Sequence, residues 1–289
     1  MKNKRLLVTG SSGFVGKHLC NELQSQGFET LKFDISEGQN ILNYKHLEQI
    51  GKVDIVFHLA ALTYVPYSYD NPRENYEINV LGTLNILEYC RKYGAKIIFA
   101  SSYVYGEPTY LPIDEKHPIG SFNPYSSSKI IGEKLCESFN RDFSVQTVIL
   151  RPFNIYGINQ SKEFLIPTII NQASTGEIIL DDPRPKRDFI HIYDVVEAYL
   201  KAALYESENL EVFNIGSGFS HSVEEVSNLI RSSYSKKPIL KFRNIERKKE
   251  VFNVYADISK AKEILGWSPK IKLEKGLKQL VEYEDKDRL

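Results

Sequence analysis

The 289-residue sequence is poor in cysteine, methionine and tryptophan, with three, one and one of these residues, respectively. Cys20, Cys90 and Cys136 lie far apart, and no Cys-x-x-Cys pair or cluster of His and Cys accompanies them. Dispersed cysteines in odd number favour reduced, buried thiols over a disulfide framework, and we expect no metal site.

The sequence also lacks an excess of charge, because 37 lysines and arginines balance 37 aspartates and glutamates. A neutral chain has no global field that attracts nucleic acid or an anionic membrane, so we expect neither partner. No apolar run is long enough to span a bilayer. The first apolar run begins at residue 6, which leaves no room for a signal peptide, and we expect a cytoplasmic protein.

The most informative feature that is present is an apolar run, residues 6–8, followed by three glycines at three-residue intervals. Gly10, Gly13 and Gly16 lead into an amphipathic helix predicted from Val15 to Leu23. Glycines let backbone approach a pyrophosphate closely, and free N–H groups at a helix N-terminus meet its negative charge. The strand, turn and helix predict a dinucleotide-binding unit, although the glycine spacing alone could mark a tight turn.

Further predicted strands define the fold class and the cofactor. Residues 29–33 form one that ends at Asp34, near the offset at which a carboxylate binds the adenosine ribose. A carboxylate there would repel a 2′-phosphate, so we expect NAD rather than NADP. Buried strands at 53–61, 96–100 and 146–150 alternate with helical stretches. This alternation predicts an α/β protein with a Rossmann-type doubly wound parallel sheet.

The alternation loosens in the second half of the chain, where prolines stand at positions 167, 183 and 185. We therefore expect an NAD-binding Rossmann domain over residues 1–160, which also includes part of 185–215. A smaller, discontinuous C-terminal α/β lobe over residues 161–289 would bind the substrate.

Tyr125 and Lys129 are four residues apart at the start of a predicted helix, so they share one face of it. A free tyrosine, with a pKa of about 10, is a poor base, but a nearby ammonium favours the phenolate. The pair could exchange a proton with an alcohol or ketone beside a nicotinamide, and Ser101 or Ser102 could bind the same oxygen. Alone, this spacing usually marks a helix surface, but behind the glycine turn and Asp34 it indicates catalysis.

With these motifs and several later ones, the chain resembles the extended short-chain dehydrogenases/reductases of the NAD-dependent epimerase/dehydratase family, which act on nucleotide sugars. The stretches that carry the resemblance follow the family's order over nearly the whole chain: 9–16, 58–61, 101–106, 125–129, 151–157, 187–191, 213–218 and 256–261.

The resemblance implies roles for individual residues. Tyr125 would be the acid/base, and Lys129 would hold the nicotinamide ribose and depress the tyrosine pKa. Ser102 matches the family's catalytic Ser/Thr when counted from the strand, and Ser101 when counted back from residues 104–106. We favour Ser102, because a deletion is easier in a turn than in a buried strand. The other cofactor-binding residues would be Gly10, Gly13, Phe14, Val15, Gly16, Asp34, Asn40, Ile41, Leu59, Ala60, Ala61, Thr63, Asn79 and Phe153.

On the substrate side, the resemblance implies that Ser102 and Asn154 face a nucleotide-diphosphate sugar. An arginine fork suits a diphosphate, and Arg187 and Arg247 are the candidates. For Arg247 a plain surface arginine stays an alternative, because Lys248-Lys249 stands where the family has Pro-Gly. The resemblance also implies a homodimer.

We expect a nucleotide-sugar 4-epimerase, in which hydride passes from sugar C4 to NAD and returns to the opposite face of a 4-keto intermediate. The alternative is a 4-reductase of nucleotide-4-keto-6-deoxysugars that uses NAD(P)H. A non-catalytic NAD-binding regulator is a further possibility, which the intact Tyr125 and Lys129 pair disfavours. A dehydratase is disfavoured, because those relatives carry Asp-Glu after the catalytic Ser/Thr and here Tyr103-Val104 follows.

Overall fold

The computed structural model describes residues 4–246 and 250–286. Its strands, in chain order, are β1 (Arg5–Thr9), β2 (Glu29–Phe33), β3 (Ile55–His58), β4 (Lys96–Ala100), β5 (Thr147–Pro152), β6 (Asn154–Tyr156), β7 (Glu177–Leu180), β8 (Lys186–Arg187), β9 (Phe189–His191), β10 (Glu211–Ile215), β11 (His221–Ser222) and β12 (Ile239–Phe242).

The helices are α1 (Phe14–Ser25), α2 (Tyr44–Glu48), α3 (Val65–Asp70), α4 (Pro72–Tyr76), α5 (Gly82–Tyr93), α6 (Pro124–Phe143), α7 (Leu165–Ser174), α8 (Ile192–Leu204), α9 (Val223–Ser232), α10 (Ser259–Ile264) and α11 (Leu273–Lys286). A π-helical turn, Glu77–Leu81, joins α4 to α5, and a 3₁₀ turn, Ile35–Glu37, follows β2.

The central sheet has six parallel strands in the order β2-β1-β3-β4-β5-β10. Side chains alternate between the two faces along each strand, and those of β1, β3, β4 and β5 are almost all buried. In β1, Leu6 and Val8 pack with α1, α8 and α10, whereas Leu7 packs on the opposite face with α2, α5 and α6. Helices therefore cover both faces, which confirms the predicted Rossmann-type doubly wound sheet.

The order of the strands determines where a ligand can bind. The chain leaves β1 toward β2 on one side of the sheet and later returns to β3 on the other side. In parallel sheets, ligands bind at such a switch point, outside the carboxyl ends of the strands. The glycine turn after β1 and the loop after β3 meet at this point.

In addition to the clusters on the two faces of the sheet, a further hydrophobic cluster lies in the C-terminal half, between α7, α9, α11 and the parallel pair of β7 and β12. Ile169, Ile178, Val226, Ile230 and Leu277 are among its fully buried members. β10 and α8, by contrast, belong to the central sheet and its cover. The boundaries proposed for the two domains stay a prediction.

Candidate functional site at the carboxyl edge of the sheet

The glycine turn is packed so tightly that side chains do not fit. Gly10 has a φ of +70°, and a Cβ there would lie 2.7 Å from the backbone nitrogen of Ala60. A Cβ on Gly16 would lie 2.0 Å from the carbonyl oxygen of Gly10. On Gly13 the nearest protein atom would be that same oxygen, at 3.2 Å, with no other within 4 Å. The outer side of the turn is thus open, and a pyrophosphate fits against its backbone.

Asp34 lies beside this turn, at the end of β2. Its Oδ2 accepts a hydrogen bond from the Ser12 backbone nitrogen at 3.0 Å, and its Oδ1 accepts from the Ser36 backbone nitrogen at 2.9 Å. The carboxylate is half-buried, and a carboxylate oxygen can accept more than one hydrogen bond. Its position therefore fits the predicted contact with the adenosine ribose.

His58 ends β3 and is held from both sides. Its Nδ1 lies 2.8 Å from Thr9 Oγ1, and its Nε2 lies 3.0 Å from Thr83 Oγ1. Burial, helped by the positive charge of Lys129, lowers the pKa of His58 to about 3. The imidazole is therefore neutral and ties β3 to β1 and α5.

Asn79 lies in the π-helical turn and connects the loop after β3 to α6. Its Oδ1 accepts from the Leu62 backbone nitrogen at 2.8 Å, and its Nδ2 donates to the Leu62 carbonyl at 3.0 Å. The same Nδ2 donates to Ser128 Oγ at 2.9 Å. π-helical turns often occur at functional sites, and this one orients the buried amide of Asn79 toward the loop after β3 and toward α6. Asn79 thus holds the loop after β3 and α6 together beside the candidate site.

The first two turns of α6 bear Tyr125 and Lys129, as the sequence predicts. Asn123 caps the helix, because its Oδ1 accepts from the Ser126 backbone nitrogen at 2.7 Å. Lys129 Nζ donates to the carbonyl oxygen of Ala100, at the end of β4, at 2.8 Å. It also lies 5.1 Å from the centre of the Phe99 ring. The cap and this contact fix α6 against the carboxyl end of β4.

The electrostatics of Tyr125 differ from the expectation. Burial of the phenol raises the pKa of Tyr125 to about 12, and the only opposing effect comes from Ser102. The expectation that Lys129 depresses the pKa of Tyr125 is therefore wrong for this arrangement, in which the ammonium contacts the Ala100 carbonyl. Burial likewise lowers the pKa of Lys129 to about 8. For both groups, desolvation is the largest effect on the pKa.

The two serines after β4 have different surroundings. Ser101 Oγ donates to Glu133 Oε1 at 2.5 Å, so Ser101 faces the protein interior. Ser102 Oγ is buried and has no protein hydrogen-bond partner of normal geometry, although it lies close enough to Tyr125 to lower the phenol pKa. An unpaired buried hydroxyl is costly unless a ligand satisfies it. Of the two, Ser102 has the hydroxyl that is free for a ligand.

Several predicted cofactor residues are mainly packing residues. Phe14, Val15 and Leu59 pack against the hydrophobic cluster under α1. Ile41 is buried and fills the space beside Gly82, and Phe153 is buried against Tyr103. The others lie nearer the surface: Asn40 accepts from the Leu42 backbone nitrogen through its Oδ1, Ala60 and Ala61 are half-buried, and Thr63 is exposed.

The predicted substrate residues lie near β6, β8 and β9. Asn154 Nδ2 donates to the Asp188 carbonyl at 3.2 Å. Arg187 forms an ion pair with Glu250, and its Nη1 donates to the Val251 carbonyl at 2.6 Å. A diphosphate would have to compete with Glu250 for this guanidinium. Arg247 lies outside the described residues.

The sequence motifs do not assign a role to two acidic residues that are prominent in the structure, Asp188 and Glu133. Asp188, within the Arg-Asp-Phe-Ile-His stretch, is fully buried and accepts from the backbone nitrogens of Ser217, Gly218 and Ala256. Burial raises its pKa, and these hydrogen bonds oppose the rise. Glu133 is one helical turn beyond Lys129, and this spacing was the signal that could have revealed it.

Within the described residues, no group of three or more His, Cys, Asp or Glu side chains could hold a metal ion. In the same part of the chain, no helix is long and apolar enough to cross a membrane.

The model of the NAD dependent epimerase/dehydratase family matches residues 6–216. The chain belongs to this family. Membership confirms the resemblance and makes the chain an enzyme of the extended short-chain dehydrogenase/reductase type.

Individual family members are similar over their full length. A Methanocaldococcus jannaschii protein named "Putative UDP-glucose 4-epimerase" is 37% identical, with 96% of this chain and 97% of that protein covered. The UDP-glucose 4-epimerase of Thermotoga maritima, solved with UDP-glucose, is 32% identical with a TM-score of 0.91, covering 99% and 100% of the two chains. The Thermus thermophilus UDP-glucose 4-epimerase, solved with NAD, is 26% identical with a TM-score of 0.86, covering 96% and 98%.

Proposed function

We propose that the chain is an NAD-dependent nucleotide-sugar 4-epimerase that acts on a UDP-linked hexose. The observation that carries the proposal is the placement of Tyr125, Lys129 and the unpaired Ser102 hydroxyl at the carboxyl end of β4, on the sheet edge where the glycine turn after β1 also lies. The UDP-glucose 4-epimerases that match over nearly the full chain support both the C4 chemistry and the UDP group.

NAD is the cofactor, and the residues around the turn fit it. The open backbone at Gly13 would face the pyrophosphate, and Asp34 would bind the adenosine ribose. Lys129, which already donates at the end of β4, would bind the nicotinamide ribose. When bound, NAD supplies a reversible hydride acceptor for the hydrogen on sugar C4.

The side chains of the protein handle the proton and the oxygen. Tyr125 takes the proton of the 4-hydroxyl and later returns it to the 4-keto oxygen, and Ser102 Oγ donates a hydrogen bond to that oxygen. Burial keeps the phenol protonated near neutral pH, so the fold favours the acid form. The base form requires that the positive charge of Lys129 come close to the phenol.

The diphosphate would lie against β6 and β8, where Asn154 and Arg187 are positioned. The Arg187 guanidinium can exchange its bonds to Glu250 for bonds to a phosphate, because both partners are anions. We propose Arg247 as a second phosphate ligand. Assembly as a homodimer and a cytoplasmic location also belong to the proposal.

The test uses purified enzyme, UDP-glucose or UDP-galactose, and no added cofactor. Interconversion of the two sugars with retained NAD supports the epimerase. No interconversion, together with reduction of a nucleotide-4-keto-6-deoxysugar that consumes one equivalent of added NAD(P)H for each turnover, would contradict it and support the 4-reductase. Tyr125→Phe is the control, because it removes one hydroxyl and should abolish turnover while the sugar nucleotide still binds.

A further inference from the structure

A fully buried ion pair lies beneath the proposed catalytic residues. Glu133 and Arg151 are 1% and 3% exposed, and they meet in a two-bond fork. Arg151 Nε donates to Glu133 Oε1 at 2.8 Å, and Nη2 donates to Oε2 at 2.6 Å. Such bidentate pairs combine strong hydrogen bonds with geometric specificity.

The Glu133 end of this pair joins the two elements that bear the proposed catalytic groups. Glu133 lies on α6, one turn beyond Lys129 and two turns beyond Tyr125. Its Oε1 also accepts the hydrogen bond from Ser101 Oγ at 2.5 Å. One carboxylate therefore holds α6 and the residue directly before Ser102 at a fixed separation.

The Arg151 end holds the chain on the other side of Ser102. Arg151 Nη1 donates to the Tyr105 hydroxyl at 2.9 Å, and the guanidinium carbon lies 5.1 Å from the centre of the Tyr105 ring. The Tyr105 hydroxyl donates to Asn214 Oδ1, on β10, at 2.5 Å. Ser102 is thus enclosed between two residues, Ser101 and Tyr105, that are both bonded to the same ion pair.

Stability alone does not account for this arrangement. Desolvation of two charges offsets most of their attraction, and apolar residues of similar volume are often as stable in such positions. What apolar residues cannot supply is the two directed hydrogen bonds that the pair makes with the side chains of Ser101 and Tyr105. We infer that Glu133, together with Arg151, is a positioning residue that sets Ser102 against Tyr125 and Lys129; the inference rests on the proposed function.

Glu133 also acts on the charge of Lys129. Burial lowers the pKa of Lys129 to about 8, and Cys136 and Glu133, both on α6, oppose this effect. The titratable group that faces Lys129 from β3 is His58, which is neutral above a pKa of about 3. Removal of the Glu133 charge should therefore lower the pKa of Lys129 further.

The first experiment compares Glu133→Gln with Asp194→Asn in the holoenzyme. Asp194 is also a buried carboxylate, but it caps the backbone of Lys270 and Ile271 away from the site. We expect Glu133→Gln to lower kcat by about 10- to 100-fold, with KM and NAD affinity within about threefold of wild type. Asp194→Asn should lower Tm and leave kcat unchanged. A Glu133→Gln enzyme with wild-type kcat would overturn the inference.

The second experiment separates positioning from the cost of a lone buried charge. The double variant Glu133→Leu/Arg151→Met leaves no charge unpaired and should fold with a Tm near that of wild type. If the pair positions Ser102, kcat stays low in this folded variant. Recovery of wild-type kcat would show that the pair serves stability alone.

A third measurement does not depend on turnover. The pKa of Lys129, followed by NMR of labelled lysine side chains in the NAD-bound enzyme, should fall in Glu133→Gln and remain unchanged in Asp194→Asn. An unchanged pKa in Glu133→Gln overturns the inference. If the wild-type enzyme converts no nucleotide sugar but this pKa still falls, the proposed function fails and the role of Glu133 stands.

Discussion

At the scale of single residues, adjacent positions can have opposite environments. Ser101 Oγ is bonded to Glu133, whereas Ser102 Oγ lacks a normal protein partner and lies near Tyr125. Side chains of consecutive residues in extended chain point to opposite sides, so one of the two must face the interior. Counting residues in the sequence does not decide which serine is catalytic. The carboxylate that distinguishes them, Glu133, is 32 residues from Ser101 in the sequence.

This difference gives a prediction for the two alanine variants. Ser102→Ala should lower kcat by about 100-fold, because it removes a donor to the reacting oxygen. Ser101→Ala removes only a contact to Glu133 and should lower kcat by less than about tenfold. Steady-state kinetics of both variants checks this, and equal losses would contradict the assignment of Ser102.

At the scale of elements, the glycine turn allows binding and packing to be separated. Gly16→Ala would place a Cβ 2.0 Å from the Gly10 carbonyl oxygen and push α1 away from the turn. At Gly13 the same change meets that oxygen at 3.2 Å and otherwise extends into the open side of the turn.

We expect Gly16→Ala to lower both Tm and NAD affinity, because the helix must shift. Gly13→Ala should keep Tm within a few degrees of wild type and weaken NAD binding at least tenfold, because the Cβ lies where the pyrophosphate would approach. Thermal unfolding and calorimetric titration with NAD measure the two effects. Unchanged NAD affinity in Gly13→Ala would place the pyrophosphate elsewhere.

Elements with strong local signals could be predicted from the sequence, and those that depend on distant partners could not. β1, the glycine turn and α1 follow from contiguous residues, and α6 follows from its Asn123-Pro124 start. The parallel pair of β7 and β12 joins segments about 60 residues apart, so its formation depends on tertiary packing. The π-helical turn around Asn79 interrupts a regular helical pattern and likewise leaves no local signal.

At the scale of the whole molecule, buried neutral histidine makes stability depend on pH. The pKa of His58 is about 3 in the fold, against 6.5 when it is free in the unfolded chain. Between these values the unfolded state binds more protons, so stability falls as pH falls from 6.5 toward 3. His191, with its pKa lowered by burial to about 4, acts in the same direction.

Denaturant unfolding of wild type and His58→Gln between pH 7 and pH 4 tests this dependence. The variant should be less stable at pH 7, because the bonds to Thr9 and Thr83 are weakened. As the pH falls, the free energy of unfolding of the variant should then fall less steeply than that of wild type. The two slopes should differ by about 1.4 kcal/mol per pH unit where His58 is the only group that titrates. Parallel curves would mean that His58 is not a buried neutral group.

We propose that the interface of the homodimer is formed by apolar side chains on the π-helical turn and on α6, two adjacent elements. Leu81, in the π-helical turn, is 46% exposed, and Ile131, on α6, is 40% exposed. Leu81→Glu/Ile131→Glu should give a monomer in sedimentation velocity, because charges would be buried at the interface. Leu204→Glu, on the other face of the sheet, is the control and should remain dimeric. A wild-type monomer, or a double variant that remains dimeric, would exclude this interface.

The proposed epimerase reaction requires that hydride leave sugar C4 and return to it within a single bound complex. Its most direct measurement is the conversion of UDP-galactose deuterated at C4, with no cofactor added, followed by mass spectrometry and NMR of the UDP-glucose formed. We expect the product to keep its deuterium at C4. Product that carries hydrogen at C4 would contradict the proposed epimerase reaction.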